Sequence, residues 1–406
     1  MKSKKKICSV LLAGLLVLVL LVTVVAGCAK PAPAPAAKEI VFGSILPMSG
    51  PISIVGMLWT RGFECFFEKI NEEGGINIGG QQYTFKYISE DSKGSAEAAA
   101  AAARKLIHQD GATFICAAIM EPCVEAVYEV CEQNKVLQLI PSVNISGHPV
   151  DISPEKPLLV RPDISFDDTH TMDFDYLKEA YPDVRTVAIS APDIGYDGMV
   201  EDCKYVAAQR GMEVVAAEMW EWGTIDFVPV YIKILASNPD AIMMMVTGQS
   251  PDQLRAARQL GFDGPMFGNS PLGAETHVAV VGPELTDFFC NGCNPEEPTP
   301  VMKELIDRWA VKYKGEPYIS DSILAWDEGW ILIQAMQKAQ SVDPEKVIAA
   351  LDTMTEPGSL QTAFGPAHMG GAERFGVNRA LIRPIPITHI MNGKMKVAGY
   401  FFGSNR

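Results

Sequence analysis

The sequence predicts an α/β fold in two domains, and three observations lead to that prediction. From Lys38 onward, short apolar stretches alternate with segments of helix length, which is typical of parallel sheets covered by helices. The chain has 406 residues, more than one domain usually contains. Its composition, with 48% hydrophobic and 20% charged residues and one apolar run long enough to cross a bilayer, excludes disordered, fibrous and polytopic membrane proteins.

Residues 1–27 have the layout of a secretory signal. Four lysines within the first six residues precede an almost wholly apolar run over 7–26. The run ends in Val25-Ala26-Gly27-Cys28, which resembles a bacterial lipobox, whose cysteine receives a lipid before cleavage. A plain transmembrane anchor is the alternative, since an apolar run of this length can span a bilayer.

Residues 28–38 are predicted to form a lipidated tether. Their alternating proline and alanine favour an extended, semi-rigid chain. Cleavage before Cys28 removes four of the 34 basic residues and no acidic one, so the formal charge of -15 becomes -19. Such an acidic body has little attraction for phosphates or anionic lipids, so we expect no nucleic-acid partner. We expect an exported chain, lipid-anchored in the periplasm or on the outer face of the cell membrane.

The first strand is expected over Glu39–Leu46, followed by a turn and by a helix over 56–73 that ends at Gly74-Gly75. Further strands are expected over 82–89, 113–118, 137–141, 186–190, 213–219, 241–247 and 265–268. Between them, helices are expected over 95–109, 124–134, 166–180, 198–210, 227–236 and 251–260. Trp220 and Trp222 are either core residues or lid aromatics.

After Asp287 the alternation is expected to fail. Three helices follow in succession, over 301–314, 323–339 and 344–353. The end of the chain, 385–402, has the pattern of a β-hairpin that turns at Asn392-Gly393. This ending suggests that the chain returns to an earlier domain.

The sequence offers no constellation for catalysis or metal binding. It lacks the hydrolase elbow, the zinc-protease motif, the phosphate loop and the dinucleotide fingerprint, so we predict neither an enzyme nor a cofactor. Seven cysteines remain in the exported chain besides Cys28. Cys290 and Cys293 have the spacing of a disulfide, of half a zinc site or of two buried thiols, and no second such pair accompanies them.

The first strand and its turn, taken with the next helix, resemble a known family. Residues 45–51 (ILPMSGP) are followed by Gly56 and Gly62, and residues 70–76 (INEEGGI) close the helix. Further matches come in order at 90–91, 137–144, 195–198, 256–268, 309–313 and 392–394. Together they resemble the substrate-binding proteins of branched-chain amino acid type (Leu/Ile/Val-binding) ABC transporters, which have the type I periplasmic-binding-protein fold.

The resemblance implies two Rossmann-like lobes with parallel central sheets, joined by a hinge of three crossings. The crossings are expected near 160–162, 291–294 and 372–375. Lobe 1 would comprise 39–161 plus 293–372, and lobe 2 would comprise 162–292 plus 373–406. A ligand that contacts both lobes closes such a hinge.

The resemblance also implies the ligand-binding residues. The positions that hold a ligand carboxylate fall on Ser142 and Asn144, for which simple turn chemistry is the alternative, and on the loop Glu121–Cys123. Tyr196 matches the tyrosine of the second lobe. Val55 stands where the first lobe of the family has an aromatic residue. The remaining predicted ligand-binding residues are Glu121, Cys123, Trp59, Gly248, Asn269 and Ser270.

One departure from the family concerns the ligand. Amino-acid binders hold the ligand ammonium with a glutamate in the loop where this chain has Asn269 and Ser270. Burying an ammonium without a counter-charge is costly. A small or aromatic carboxylate or an amide is therefore expected to suit the pocket as well as an amino acid does, unless Glu121 or Glu275 supplies the charge.

These observations predict an extracytoplasmic solute-binding lipoprotein. It would capture a small polar organic ligand between its lobes and deliver it to the permease and ATPase subunits of an ABC importer. A ligand sensor of the same fold, which signals to a membrane partner, is the first alternative. An exported enzyme is the second.

Overall fold

The structure of the protein is a computed structural model, which describes residues 36–50, 53–117, 121–141, 151–163, 166–193, 198–221, 223–245, 249–268, 273–320 and 322–403. Residues 39–406 form one compact unit, distinct from residues 1–38. The predicted signal and Cys28 lie outside the described residues. Among the described helices, none is both long and apolar enough to cross a membrane.

The first part of the chain builds a six-stranded sheet. Its strands are β1 (Lys38–Leu46), β2 (Ile76–Ile78), β3 (Gln81–Asp91), β4 (Phe114–Ala117), β5 (Leu137–Leu139) and β6 (Leu159–Val160). Their order in the sheet is β2-β3-β1-β4-β5-β6. The pairs β1–β4, β4–β5 and β5–β6 are parallel, whereas β2 and β3 form an antiparallel hairpin.

A seven-stranded sheet follows, with a small three-stranded sheet between its strands in the sequence. The strands are β7 (Thr186–Asp193), β8 (Glu213–Glu221), β9 (Ala241–Met244), β10 (Met266–Phe267), β11 (Phe288–Asn291), β12 (Leu360–Thr362), β13 (Gly365–Gly370), β14 (Ala380–Ile382), β15 (Pro384–Met391) and β16 (Lys394–Phe402). The large sheet has the order β16-β15-β11-β10-β9-β7-β8, and the small one β12-β13-β14. The strands from β11 to β8 are parallel, and the hairpin β15–β16 is antiparallel.

The described helices are α1 (Ser53–Glu72), α2 (Ala96–His108), α3 (Glu121–Gln133), α4 (Phe166–Ala180), α5 (Gly198–Gln209), α6 (Val228–Leu235), α7 (Ser250–Gln259), α8 (Gly273–Val281), α9 (Pro300–Lys312), α10 (Ser322–Ala339), α11 (Pro344–Leu351) and α12 (Ala372–Phe375). Side-chain caps fix several of their starts. Ser95, Thr299 and Asp343 each accept a hydrogen bond from the backbone three residues on.

The apolar side chains form separate cores on the two large sheets. The first core surrounds the six-stranded sheet and includes residues of α1, α10 and α11. Two clusters flank the seven-stranded sheet, and we call them together the second core. Along β7, Val187 and Ile189 face one cluster and Ala188 the other, as the alternation of side chains on a strand requires. The predicted two-lobed, parallel α/β fold is confirmed.

The described chain passes between the first and the second core after β6, after β11 and at Arg383. The first two passages lie near the expected crossings. Residues 372–375, where we expected the third, form the short helix α12, and β14 follows it in the small sheet. Arg161 and Ala380 form a parallel bridge that joins the first passage to the strand before the third. The lobe boundaries themselves stay a prediction.

The structure contains several elements that the sequence did not predict. They are the short strands β2 and β6, the helix α8, the strand β11 directly after Asp287, and the sheet β12-β13-β14. Most predicted elements are present with ends shifted by a few residues, and α4 has the predicted bounds. The terminal hairpin is confirmed, and Asn392 and Gly393 both have positive φ angles, as its tight turn requires.

Candidate functional site

The candidate site lies at the carboxyl ends of the parallel strands, where open α/β sheets bind ligands. Because neighbouring strands are parallel, the ends of β1, β4 and β5 lie at one edge of the first sheet, and those of β7, β9 and β10 at one edge of the second. Six predicted ligand-binding residues follow these ends but lie outside the described residues: Ser142, Asn144, Tyr196, Gly248, Asn269 and Ser270. The structure describes the strand ends and helix starts that flank these loops, and we call them the frame of the site.

The structure places the other predicted residues on helices of the first core. Val55 is half-buried in the first turn of α1. Trp59, one turn further along, is 3% exposed. Glu121 begins α3, although its side chain lies outside the description, and Cys123 is buried in the same helix. Both helices thus start beside the strand ends that carry the candidate site.

Trp59 is held by a buried carboxyl group that the sequence did not single out. Its Nε1 donates to Glu328 Oε1 at 2.8 Å. The thiol of Cys116, in β4, donates to Glu328 Oε2 at 3.2 Å. Burial, together with the charge of Asp163, raises the pKa of Glu328 to about 8 against the opposing effect of these hydrogen bonds. At neutral pH this carboxyl is therefore mostly protonated.

Gln138 fixes both flanks of the loop after β4. Its side chain is fully buried on β5, and Nε2 donates to the carbonyl oxygens of Ala117 at 2.7 Å and Val124 at 3.3 Å. Ala117 ends β4 and Val124 lies in the first turn of α3. One amide group thereby joins strand and helix around the segment 118–120.

Asp91 fixes the turn after β1. Its Oδ1 accepts hydrogen bonds from the backbone N–H groups of Met48 at 2.9 Å and Lys93 at 2.8 Å. Slight burial opposes ionisation, but the hydrogen bonds from Ser49, Lys93 and Met48 outweigh it and lower the pKa of Asp91. The ionised carboxylate thus joins the end of β3 to the turn beside it.

A buried histidine joins the corresponding flanks in the second core. His277 Nδ1 lies 2.6 Å from the carbonyl oxygen of Gly273, and its Nε2 lies 2.8 Å from Ser250 Oγ. Burial lowers the pKa of His277 to about 4, so the ring is neutral at pH 7. A carbonyl oxygen only accepts, so Nδ1 carries the proton and Nε2 accepts from the Ser250 hydroxyl. This contact connects the chain after segment 246–248 to the chain after segment 269–272.

A second set of hydrogen-bonded side chains in this core includes Ser190 of β7. Ser190 Oγ donates to Gln253 Oε1 at 2.6 Å, and the Tyr231 hydroxyl donates to the same oxygen at 3.1 Å. Trp220 Nε1 donates to Ser190 Oγ at 3.2 Å, and its ring packs edge-on against Phe227. Trp220 is therefore a core residue, and Trp222 lies outside the described residues.

Glu275, which the sequence suggested as a source of negative charge, contacts the other core. Its Oε1 accepts hydrogen bonds from Ser320 Oγ at 2.7 Å and from Ser320 N at 3.3 Å. Burial raises the pKa of Glu275 despite these hydrogen bonds. Its carboxyl group therefore ionises less readily than that of an exposed glutamate.

The seven cysteines of the described chain are buried thiols that are not disulfide-bonded. Of the three states that their spacing allowed, Cys290 and Cys293 thus have that of two buried thiols. Within the residues that the structure describes, no group of three or more histidine, cysteine or acidic side chains is arranged to hold a metal ion. A surface groove between α1 and α9 lies elsewhere, and its charges pair with one another, as Arg308 does with Glu72.

Comparison with known proteins agrees with this architecture. The sequence profile of the family described as periplasmic binding protein matches residues 39–394. The Leu/Ile/Val-binding protein homolog 8 of Brucella melitensis is 22% identical over 382 residues, which cover 84% of this chain and 86% of that protein.

Two solved structures have the same fold. One is the branched-chain amino acid transporter substrate-binding protein LivJ of Streptococcus pneumoniae in complex with isoleucine, with a TM-score of 0.72 at 18% identity over 90% of this chain and 100% of that chain. The other is an ABC transporter solute-binding protein of R. palustris in complex with 4-hydroxybenzoate, with a TM-score of 0.69 at 19% identity over 90% of this chain and 98% of that chain. Since the family profile spans most of the sequence and the fold is shared, the chain belongs to the periplasmic binding protein family.

Proposed function

We propose that the chain is the solute-binding lipoprotein of an ABC importer, which captures a small organic acid between two lobes and delivers it to the permease. The observation that carries the proposal is the family match over residues 39–394. Relatives with this fold are named as substrate-binding proteins of ABC transporters, and the family name places its members outside the cytoplasm. The described frame residues, which flank the loops of both sheets, support a site between the lobes.

The ligand class follows from charge. Isoleucine and 4-hydroxybenzoate, which the two solved structures contain, share a carboxylate, and only isoleucine also has an ammonium group. The sequence has Asn269 and Ser270 where a counter-charge for an ammonium is expected. Glu275 is a weak substitute, because it accepts hydrogen bonds from Ser320 and burial raises its pKa. We therefore propose an organic carboxylate that lacks an ammonium group.

A matched pair of compounds tests this ligand class. Leucine and 4-methylpentanoate have the same carbon skeleton and differ only in the ammonium group. With the full-length chain in detergent, we expect 4-methylpentanoate or 4-hydroxybenzoate to raise the melting temperature and leucine to leave it unchanged, because a ligand that binds the folded state stabilises it. An equal shift with leucine would contradict the argument from charge, and no shift with any acid would contradict the ligand class.

Tyr196→Ala tests the position of the cleft. The variant should lose the ligand-dependent shift and keep the melting temperature of the ligand-free chain. Tyr205→Ala, at a 53% exposed tyrosine of α5, is the matched control and should keep both. A full ligand response from Tyr196→Ala would mean that the ligand binds elsewhere.

We also propose that Cys28 carries the lipid. The intact mass of the chain purified from membranes should correspond to a start at residue 28 plus diacylglyceryl and acyl groups. Cys28→Ala should abolish this modification and Cys8→Ala should not. An unmodified chain that retains residues 1–27 would identify a transmembrane anchor instead.

A further inference from the structure

Glu275 and Ser320 belong to different cores. Glu275 lies in the first turn of α8, which packs on β11, β15 and β16 and contributes Ala274 to the second core. Ser320 ends the segment before α10, and its neighbour Ile319 packs on the first core. The hydrogen bonds between them therefore join the two cores, and neither residue lies on a passage of the chain between the cores.

The contact is close and dry. Ser320 is fully buried, and its hydroxyl and amide both donate to one oxygen of Glu275. Gly273, at the start of α8, has a φ angle of +70°, and a Cβ there would lie 2.5 Å from Ser320 Oγ and 2.5 Å from Glu275 Oε2. The positive φ favours glycine here, and a Cβ would also displace one of these two side-chain oxygens.

We propose that Glu275 and Ser320 form an interlobe latch, which positions the two lobes against each other and favours the closed arrangement of the cleft. Both groups are withdrawn from water only while the cores are in contact, because separation exposes both polar side chains to solvent. When the lobes separate, water replaces each hydrogen bond of the latch, so the number of hydrogen bonds does not change. The latch therefore favours the closed arrangement only modestly, and closure stays reversible. The inference rests on the proposed function, in which the lobes close on a ligand.

The raised pKa of Glu275 agrees with this arrangement. Burial is its main cause, and the hydrogen bonds from Ser320 act in the opposite direction. A protonated carboxyl still accepts at Oε1, so the hydrogen bonds persist in either charge state. Glutamine at this position should therefore preserve the latch, whereas alanine should remove it.

The test measures the distance between the lobes directly. Spin labels are placed on the full-length chain at Lys346→Cys in α11 and Glu201→Cys in α5, which are exposed positions on helices that pack on the first and the second core. Distances are recorded by pulsed dipolar spectroscopy without ligand and with 4-hydroxybenzoate. Glu275→Ala should raise the ratio of open to closed molecules roughly three- to tenfold in at least one condition. Glu275→Gln and the exposed control Glu284→Ala should leave it unchanged.

Ser320→Ala keeps the test decisive if Glu275→Ala fails to fold. It removes the shorter hydrogen bond and should shift the ratio in the same direction by a smaller factor. Unchanged distances in both variants, or the same shift in Glu284→Ala, would overturn the latch. If the chain binds no acid, the proposed ligand class fails, while the ligand-free distances still decide whether the latch exists.

Discussion

At the scale of single residues, Glu328 shows how burial changes an ordinary carboxyl group. Its side chain is fully enclosed between Trp59 on α1 and Cys116 on β4. Removing a carboxylate from water favours the neutral acid, and the nearby charge of Asp163 acts in the same direction. The folded chain therefore keeps at neutral pH a proton that an unfolded chain would release.

This proton makes stability depend on pH in a specified direction. The pKa of Glu328 rises from 4.5 to about 8 on folding. Its contribution to stability is complete below pH 4.5 and is lost as the pH rises towards 8. Glu328→Gln should remove this dependence, since glutamine does not ionise, can accept from Trp59 and can donate to the Cys116 sulfur.

Urea unfolding at pH 5 and pH 8.5 measures the difference. The unmodified chain should lose roughly 3–5 kcal/mol more unfolding free energy between these pH values than Glu328→Gln does. Glu345→Gln, at an exposed glutamate of α11, is the control and should follow the unmodified chain. Parallel pH profiles for the two glutamine variants would show that Glu328 is ionised in the folded state.

The sequence indicated part of this frame and missed the rest for a physical reason. Trp59 was named because it is an aromatic residue close to Val55, which stands where the family has an aromatic residue. Its partner Glu328 is 269 residues away, and no local pattern predicts such a pair. The role of Gln138 could not be predicted from the sequence either. An amide within a short apolar strand does not indicate which two carbonyl groups it binds.

At the scale of elements, the contact between α1 and α10 depends on one small residue. A Cβ at Gly62 would lie 2.3 Å from the carbonyl oxygen of Ser322 and 2.8 Å from the Cβ of Ala325. Such distances are far shorter than normal van der Waals contact, and the first of these atoms belongs to the backbone. The two helices can approach this closely only because position 62 has no side chain.

Gly62→Ala should therefore destabilise the first core. In an isolated helix alanine is favoured over glycine by about 1 kcal/mol. Here the overlap with α10 should reverse the sign and cost about 2 kcal/mol or more, measured by chemical unfolding. Ala101→Gly, at an exposed position of α2, measures the helix propensity alone. A stabilised Gly62→Ala chain would show that α1 and α10 pack less tightly than these distances indicate.

The elements that the sequence missed are those with the weakest local signals. Strands β2 and β6 span three and two residues, too few to show a period. Helix α8 has the sequence GAETHVAVV, whose β-branched residues give no clear helical stripe. In the small sheet, β13 contains two glycines and a proline, which usually mark loops, and β12 and β14 have three residues each. Helix α10 was found because its 18 residues are too many for a strand, although it is buried on most of its surface.

At the scale of the whole molecule, a buried ion pair connects two of the passages between the cores. Arg383, on the third passage, donates from Nη2 to Oδ1 of Asp163, on the first, at 2.6 Å. Both side chains are almost fully buried. Burial raises the pKa of the neighbouring Asp327 to about 7, against the favourable charge of Arg383. The guanidinium is thus the positive charge beside two buried carboxyl groups.

Removal of Arg383 should cost far more than removal of a surface arginine. Arg383→Gln leaves Asp163 without this partner in a buried place, and we expect a loss of about 3–5 kcal/mol in urea unfolding. Arg255→Gln, which breaks an exposed pair with Asp252, should cost less than about 1 kcal/mol. The double variant Asp163→Leu/Arg383→Met should recover much of the loss, and equal effects of the two single variants would contradict this account.

The enclosure of the cysteines links folding to the chemistry of the compartment. Thiolates are the species that oxidants attack, and burial raises the pKa of Cys65 to about 12 and that of Cys116 well above its usual value. Outside the cytoplasm an opened chain would expose seven thiols, an odd number with no native pairing to guide them. A chain that is oxidised before it closes again cannot regain the native state until its wrong disulfides are reduced. The yield of active protein in the cell then depends on how rarely the chain opens, and on how fast it first folds, more than on its equilibrium stability.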